Sequence, residues 1–414
     1  MKKLKIAFLM SRRDPLLPLL DNDGGGILLF GYGFELAKLG HYVDIYTSRA
    51  NMGWGETDYV EKKRAAQDKD VVCINNRVRV IRKDVAPINV DGNGNFNSCE
   101  HKIMSSISFS NSFGDNELSD YEIVNICHPT TGYGLLKSGK IDPQKTTLFP
   151  MLLSCQYEKY RYVSDSYKQM EDLVLSSVGS ILFASHEEES DLASLGVDLS
   201  KAHFIARGVD KAIFAGRLRK SASVAINIIS VGAIRSQKNY LLFVDIAKIL
   251  AMNKINFVVN IAGDNVNFSY DENKLYYENM LEIINREGLG DYIKFIGGVN
   301  QNELTDIIGG ADLAVFPSLS ESFGKAMLET VASGLPTVLS NSVEAYKTFA
   351  ADGVNSVLVD PNAEAFSSAI LRLVNDQKLY AKISKNGLKI ADSFTWEKVT
   401  KDLLKFYSQL LKEV

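Results

Sequence analysis

Short runs of Ile, Val, Leu and Phe recur along the chain, separated by longer segments in which apolar residues return every three or four positions. Brief apolar runs mark buried strands and the longer period marks amphipathic helices, so their alternation predicts βαβ units and parallel sheets. One series comprises Leu4 to Met10, Tyr42 to Tyr46, Val78 to Ile81, Ile123 to Ile126, Thr147 to Leu152 and Ile181 to Ala184. A second comprises Ile226 to Val231, Phe257 to Ile261, Ile293 to Ile296, Leu313 to Phe316 and Thr337 to Leu339. Between them, Gly208 to Ser223 carries Arg217, Arg219 and Lys220 without a sustained apolar period, which places a domain junction there. The fold class expected is α/β, with two doubly wound, Rossmann-like parallel-sheet domains at residues 1–210 and 220–395. Trp396 to Val414 puts Leu403, Leu404, Phe406, Tyr407, Leu410 and Leu411 on one stripe, predicting a terminal helix that packs back on the first domain. Doubly wound sheets bind ligands in a crevice at the carboxyl ends of their strands, so function is sought in the strand-to-helix loops.

Composition narrows the classes. With 414 residues the chain exceeds one ordinary core, and 46% hydrophobic, 23% charged and only 9 Pro describe ordered globular structure. A net charge of -4 argues against general attraction to nucleic acid. Cys73, Cys99, Cys127 and Cys155 stand far apart with no Cys-x-x-Cys spacing, which fits reduced thiols in a cytoplasm. The apolar stretch Ile6 to Met10 is too short for a signal peptide and is stopped by Arg12, Arg13 and Asp14, so it reads as a buried first strand. No segment approaches the roughly 20 apolar residues that span a bilayer, so no transmembrane segment is expected.

Three stretches carry candidate chemistry. Asp23-Gly24-Gly25-Gly26 lies between the first strand and a helix expected to begin near Ile27. Without Cβ atoms, its backbone N–H groups can approach a phosphate or sugar closely; the bland alternative is a simple turn, since the dinucleotide spacing is incomplete. Asp21-Asn22-Asp23 has the spacing of a divalent-cation site, but solvated acids ahead of a helix start explain it better. The most informative stretch is Phe316 to Glu329, followed by Ala332-Ser333-Gly334-Leu335-Pro336. A strand ends at Pro317, a loop carries Glu321, and a helix opening near Gly324 offers free N–H groups. Glu321 and Glu329 are eight positions apart. That is at most about 12 Å along a helix, too far for a glycosidase-type carboxylate pair and suited to two ends of a nucleotide sugar. Glu329 sits beside Leu328 and near Val331, so its burial would require a polar partner. In Val231 to Asn239, Arg235 and Lys238 could converge on one diphosphate, against the alternative of solvated surface cations.

With these residues in place, the chain resembles the retaining glycosyltransferases of the GT-B fold, in the large family 4 that includes sucrose-phosphate synthases and bacterial mannosyl and glucosyl transferases. The resemblance runs in order through the Gly-rich loop, Gly40-His41-Tyr42-Val43, Ala184-Ser185-His186-Glu187 and Arg207-Gly208-Val209-Asp210. It continues through Val231 to Asn239, Ile261-Ala262-Gly263-Asp264, Phe295 to Val299, Glu321 to Glu329 and Val357 to Pro361. It implies a nucleotide-sugar donor, with UDP-sugars common in the family, and a small-molecule or glycan acceptor. The acceptor would be chosen by first-domain loops such as Asn51 to Lys69 and Pro87 to Phe113. By the same resemblance, Glu321 meets donor-sugar hydroxyls, with Ser322, Phe323 and Gly324 alongside, and Glu329 meets the ribose. Arg235 and Lys238 neutralise the diphosphate, Gly24, Gly25 and Gly26 approach the donor, and no cofactor or bound metal is needed. Two positions depart from the family pattern. Ala233 stands where Arg usually follows the loop glycine, with Arg235 two positions later. A gap-free placement of Glu122 to Gly132 puts Cys127 at the family's donor-contacting His and His128 one beyond. Neighbouring strand residues face opposite sides, and His128 precedes Pro129 where the strand should end, which favours His128. A catalytically silent nucleotide-sugar-binding relative, and a GT-B phosphorylase or epimerase, are the alternatives that fold alone leaves open.

Overall fold

The computed structural model describes residues 2–11, 24–48, 71–85, 99–159, 162–210, 225–263, 271–299 and 301–413. Asp21 to Asp23, segments 51–69 and 89–97, residues 211–223 of the expected junction, and Asp264 lie outside the described residues. The chain divides into two compact units: Met1–Ala184, Glu188–Ala206 and Trp396–Val414 form one, and Ser185–Glu187 with Arg207–Thr395 form the other. The simple limit at residue 210 therefore gives way in two places. Ser185 to Glu187 belong with the second unit, as do Arg207 to Asp210.

In the first unit, strands β1 (Lys5–Met10), β2 (Tyr42–Ser48), β3 (Val71–Asn75), β4 (Val78–Lys83), β5 (Ile123–Cys127), β6 (Thr146–Phe149), β7 (Ser180–Phe183) and β8 (Ala202–Phe204) form one sheet. Their order is β3-β4-β2-β1-β5-β6-β7-β8, parallel throughout except for the β3–β4 hairpin. The two edge strands were not legible as apolar runs. Strand β8 has only three residues, and β3 leaves Val71 and Cys73 exposed. The run from Thr147 ends as a strand at Phe149, because Pro150 supplies no N–H and Met151 takes a positive φ of 62°. The helix after β1 spans Gly24–Lys38, so the glycines form its first turn and do not merely precede it.

Ala7, Leu9, Val124, Ile126 and Leu148 share one apolar cluster with Phe109, Leu135 and Val174. The terminal helix Trp396–Glu413 buries Leu403, Leu404, Phe406, Tyr407 and Leu410. Its Tyr407 hydroxyl donates to Asn125 Oδ1 of β5 at 2.7 Å, and the Asn125 amide donates to the Ala7 carbonyl at 3.2 Å. A buried amide in a central strand is thus provided with the partners it requires.

In the second unit, β9 (Ile226–Val231), β10 (Phe257–Ala262), β11 (Ile293–Gly297), β12 (Leu313–Phe316), β13 (Thr337–Ser340) and β14 (Val357–Val359) are ordered β11-β10-β9-β12-β13-β14, all parallel. Ile228, Val259, Ile261, Leu313, Val315 and Val338 pack in one cluster with Phe243, Ile246, Leu250, Phe366 and Ile370. Counted from β9, the order is 3-2-1-4-5-6, that of dinucleotide-binding folds, and it reverses between β9 and β12. In the first sheet the corresponding reversal falls between β1 and β5. Ligand crevices open at such reversals because the connections from the two strands leave toward opposite faces.

Candidate active site

Both loops singled out in the second unit follow the strands that flank its reversal: Val231 to Asn239 leaves β9 and Pro317 to Gly324 leaves β12. Backbone packing draws the first of these close to its neighbour. Gly232 N donates to Ala262 O and Gly263 N to Gly297 O, each at 2.9 Å. A Cβ at Gly263 would fall 1.9 Å from Gly232 O, so only glycine permits this approach. The two candidate loops are tied together by Leu319 N donating to Gln237 O at 2.8 Å.

Across that tie, Lys238 Nζ donates to Glu321 Oε1 at 2.5 Å, and Ser318 Oγ donates to the same oxygen at 2.9 Å. Glu321 is 8% exposed. Its Oε2 accepts no bond from the described residues. Glu329, 3% exposed, follows the same plan. Its Oε1 takes Lys325 Nζ and, at 3.2 Å, Gln301 Nε2, while Oε2 accepts nothing from the described residues. Each buried carboxylate thus has its charge compensated through one oxygen, leaving the other to accept from a ligand. The side chain of half-buried Arg235 makes no hydrogen bond or ion pair with the described residues, which leaves its guanidinium available to an anion.

The helix Lys325–Ala332 begins after Gly324, whose φ of 85° is left-handed. A Cβ there would also lie 2.9 Å from Tyr346 Cε1, so both conformation and space require glycine. No side chain caps this helix, and its first N–H groups remain donors for an anion. Burial, with the charge of Glu321 adding to it, raises the phenol pKa values of Tyr240 and Tyr346 well above ordinary. Both therefore stay neutral, and Tyr240 donates to Gly232 O at 3.0 Å.

Two residues that follow β7 support the glutamate loop. Ser185 Oγ donates to Ser322 O, and Glu187 accepts from Ser320 Oγ at 3.4 Å and from Ala345 N at 3.3 Å. Phe323 is fully buried, with the Arg207 guanidinium 5.5 Å above its ring.

In the first unit, the remaining candidates also flank a reversal. Gly24 to Gly26 open the helix after β1, and Cys127 ends β5 with His128 next in the chain. Cys127 is fully buried. His128 is half-buried with φ 76°, caps the helix Pro129–Lys137 by accepting from Thr130 N at 3.2 Å, and has Tyr157 Oη 3.4 Å from Nε2. Ser11 N donates to Thr131 Oγ1 at 3.1 Å, joining the two loop regions. Sequence reasoning assigned no role to Ser318, Lys325, Gln301, Ser185 or Glu187. Of these, Lys325 carried a usable signal, because it stands four positions before Glu329.

Among the described residues no group of His, Cys, Asp and Glu is arranged to hold a metal ion, and no helix is long and apolar enough to cross a membrane.

Two Rossmann-like parallel-sheet units, with paired glutamates and cationic side chains at the second sheet's reversal, carry the fold of GT-B glycosyltransferases. Residues 217–390, within the second unit, match the family described as Glycosyl transferases group 1. Over 94% of its length it is 23% identical to mannosylfructose-phosphate synthase of Agrobacterium fabrum, covering 87% of that protein. Sucrose-phosphate synthase of Thermosynechococcus elongatus superposes with a TM-score of 0.81 at 19% identity, with both chains fully covered. Anabaena Alr3699/HepE, solved in complex with UDP-glucose, gives a TM-score of 0.71 at 14% identity over 98% of this chain and 100% of its own. The last two likenesses establish the fold.

Proposed function

We propose that the protein is a retaining, metal-independent glycosyltransferase that transfers a sugar from a UDP-sugar to a small-molecule or glycan acceptor. The observation that carries this reading is the pair of buried carboxylates, Glu321 and Glu329, each anchored through Oε1 by a lysine. Eight positions apart, they suit the sugar and ribose ends of one donor. Glu321 would accept from donor-sugar hydroxyls, and Ser322, Phe323 and Gly324 would line the same end. Arg235, Lys238 and the N–H groups that follow Gly324 would stabilise charge on the departing diphosphate, the interaction that grows as the glycosidic bond breaks. Gly24 to Gly26 and His128 would serve the donor from the first unit, with Cys127 held in the strand behind His128. UDP is favoured because the structurally similar Alr3699/HepE is solved with UDP-glucose. Dispersed cysteines without Cys-x-x-Cys spacing support a cytoplasmic location.

A panel of nucleotide sugars tested by thermal shift should give one uridine donor that stabilises the protein selectively. Acceptor-dependent release of UDP, with the product's anomeric configuration matching the donor's by NMR, completes the test. No selective donor, or donor binding without acceptor-dependent release, would overturn the reading.

A further inference from the structure

The Lys325–Glu329 pair is poorly explained as helix stabilisation. Lys325 opens the helix Lys325–Ala332, where the macrodipole disfavours a cation. A lysine four positions ahead of a glutamate is also the weaker of the two i,i+4 orientations. Nevertheless the Lys325 side chain is only 14% exposed and directed onto Glu329 Oε1. Gln301 Nε2, from the first residue of the helix Gln301–Gly310, reaches the same oxygen at 3.2 Å. Donors from two different helices converging on one oxygen fix the rotation of the carboxylate, and Oε2 remains as its open acceptor. The lysine also neutralises a carboxylate that would otherwise repel a neighbouring diphosphate.

We propose that Lys325 and Gln301 are positioning residues that hold Glu329 so that Oε2 accepts from the ribose hydroxyls of the donor nucleotide. In this role they make the enzyme selective for ribonucleotides over deoxyribonucleotides. The inference rests on the ribose assignment of Glu329 made above.

The test is calorimetric titration of the full chain with UDP, 2′-deoxy-UDP and 3′-deoxy-UDP. Loss of a hydrogen bond to a charged acceptor should weaken binding of at least one deoxynucleotide by about tenfold or more in the parent protein. In Lys325→Met, UDP binding should fall by about tenfold and the preference for ribose should shrink to about twofold, while kcat at saturating donor changes much less. Gln301→Ala should reduce the preference by a smaller factor, and Lys325→Arg should retain it. Gln301→Ala also carries the test if Lys325→Met fails to fold. A parent protein that prefers ribose, with variants that keep the full preference, would overturn the positioning role and leave the ribose assignment intact. No preference in the parent would overturn the ribose assignment itself.

Discussion

Replacing Gly31 by Ala sets two physical effects of opposite sign against each other. Gly31 lies inside the helix Gly24–Lys38, where alanine ordinarily stabilises by about 0.8–1 kcal/mol. Here, however, a Cβ would stand 2.4 Å from Trp396 Cε2 and 2.5 Å from both Cδ2 and Cζ2. Carbon atoms pack at about 3.5–4.0 Å, so the indole or the terminal helix must move by about 1 Å or more. The indole is held edge-on to Tyr32, with ring centroids 5.3 Å apart and planes at 79°. Tyr32 is itself fully buried and donates to Ala206 O at 2.6 Å. Overpacking of this kind costs about 1–3 kcal/mol, and the short contacts to three ring atoms place it in the upper part of that range. The net expectation is destabilisation by about 1–2 kcal/mol. Urea unfolding followed by tryptophan fluorescence reads this contact. Trp54 is the second tryptophan in the chain, so the measurement uses a Trp54→Phe background. Two units need not unfold together, and the comparison is therefore between transition midpoints that report Trp396. Trp396→Phe, followed by far-ultraviolet circular dichroism because it removes the fluorophore, should reduce the cost of Gly31→Ala when the two are combined, since the smaller ring vacates part of the space. A Gly31→Ala protein about 1 kcal/mol more stable than its parent would refute the packing argument.

Three further outcomes follow from the site and its surroundings. Turnover should persist in excess chelator, since Arg235, Lys238 and open helix N–H groups supply positive charge; loss of turnover restored by Mg²⁺ or Mn²⁺ would instead revive the Asp21-Asn22-Asp23 reading. Gly25→Val should lose most transfer activity yet retain much of its nucleotide affinity, since Gly25 and the glutamates lie in different units; transfer at the parental rate by a folded variant would reduce the glycine run to a helix start. The third outcome concerns Glu171, whose burial raises its pKa from 4.5 to about 7 despite donation by Ser154 N and Oγ. The folded state then holds a proton that the unfolded state has released, so this contribution is full below about pH 4.5 and is lost as pH rises to about 7. Glu171→Gln should flatten a decline worth up to about 3 kcal/mol across that range in chemical unfolding, and an unchanged pH profile would count against it.

Hydrophobic period alone located the strands of both sheets that have strongly apolar runs, because a strand covered on both faces is apolar at nearly every position, as in Leu313 to Phe316. The edge strands of the first sheet were not legible for the converse reason: β3 leaves part of its surface to solvent and β8 is too short to show a period, whereas β11, at an edge of the second sheet, was legible as Ile293 to Ile296. The spacing of Glu321 and Glu329 and the apolar neighbours of Glu329 were likewise local, and they already implied burial with a polar partner. The partner's identity was partly local, since Lys325 lies one helical turn before Glu329. Gln301 comes from a separate helix and could not be chosen by spacing, and no sequence period links Lys238 to Glu321 across an interval of 83 residues.

The amino-acid sequence by itself determined the α/β class, the two series of strands, the terminal helix and the residue types able to handle a nucleotide sugar, because these depend on short-range period, chain stiffness and side-chain chemistry. Tertiary structure alone decided the strand order, and with it which loops flank a reversal. It also decided that Ser185 to Glu187 join the second unit, that Cys127 is sealed in β5 while His128 caps a helix, and that each glutamate has one oxygen tied and one open. These outcomes depend on contacts between segments far apart in the chain, whose geometry is set by sheet pairing and backbone packing such as Gly263 against Gly232, and no local pattern encodes that geometry.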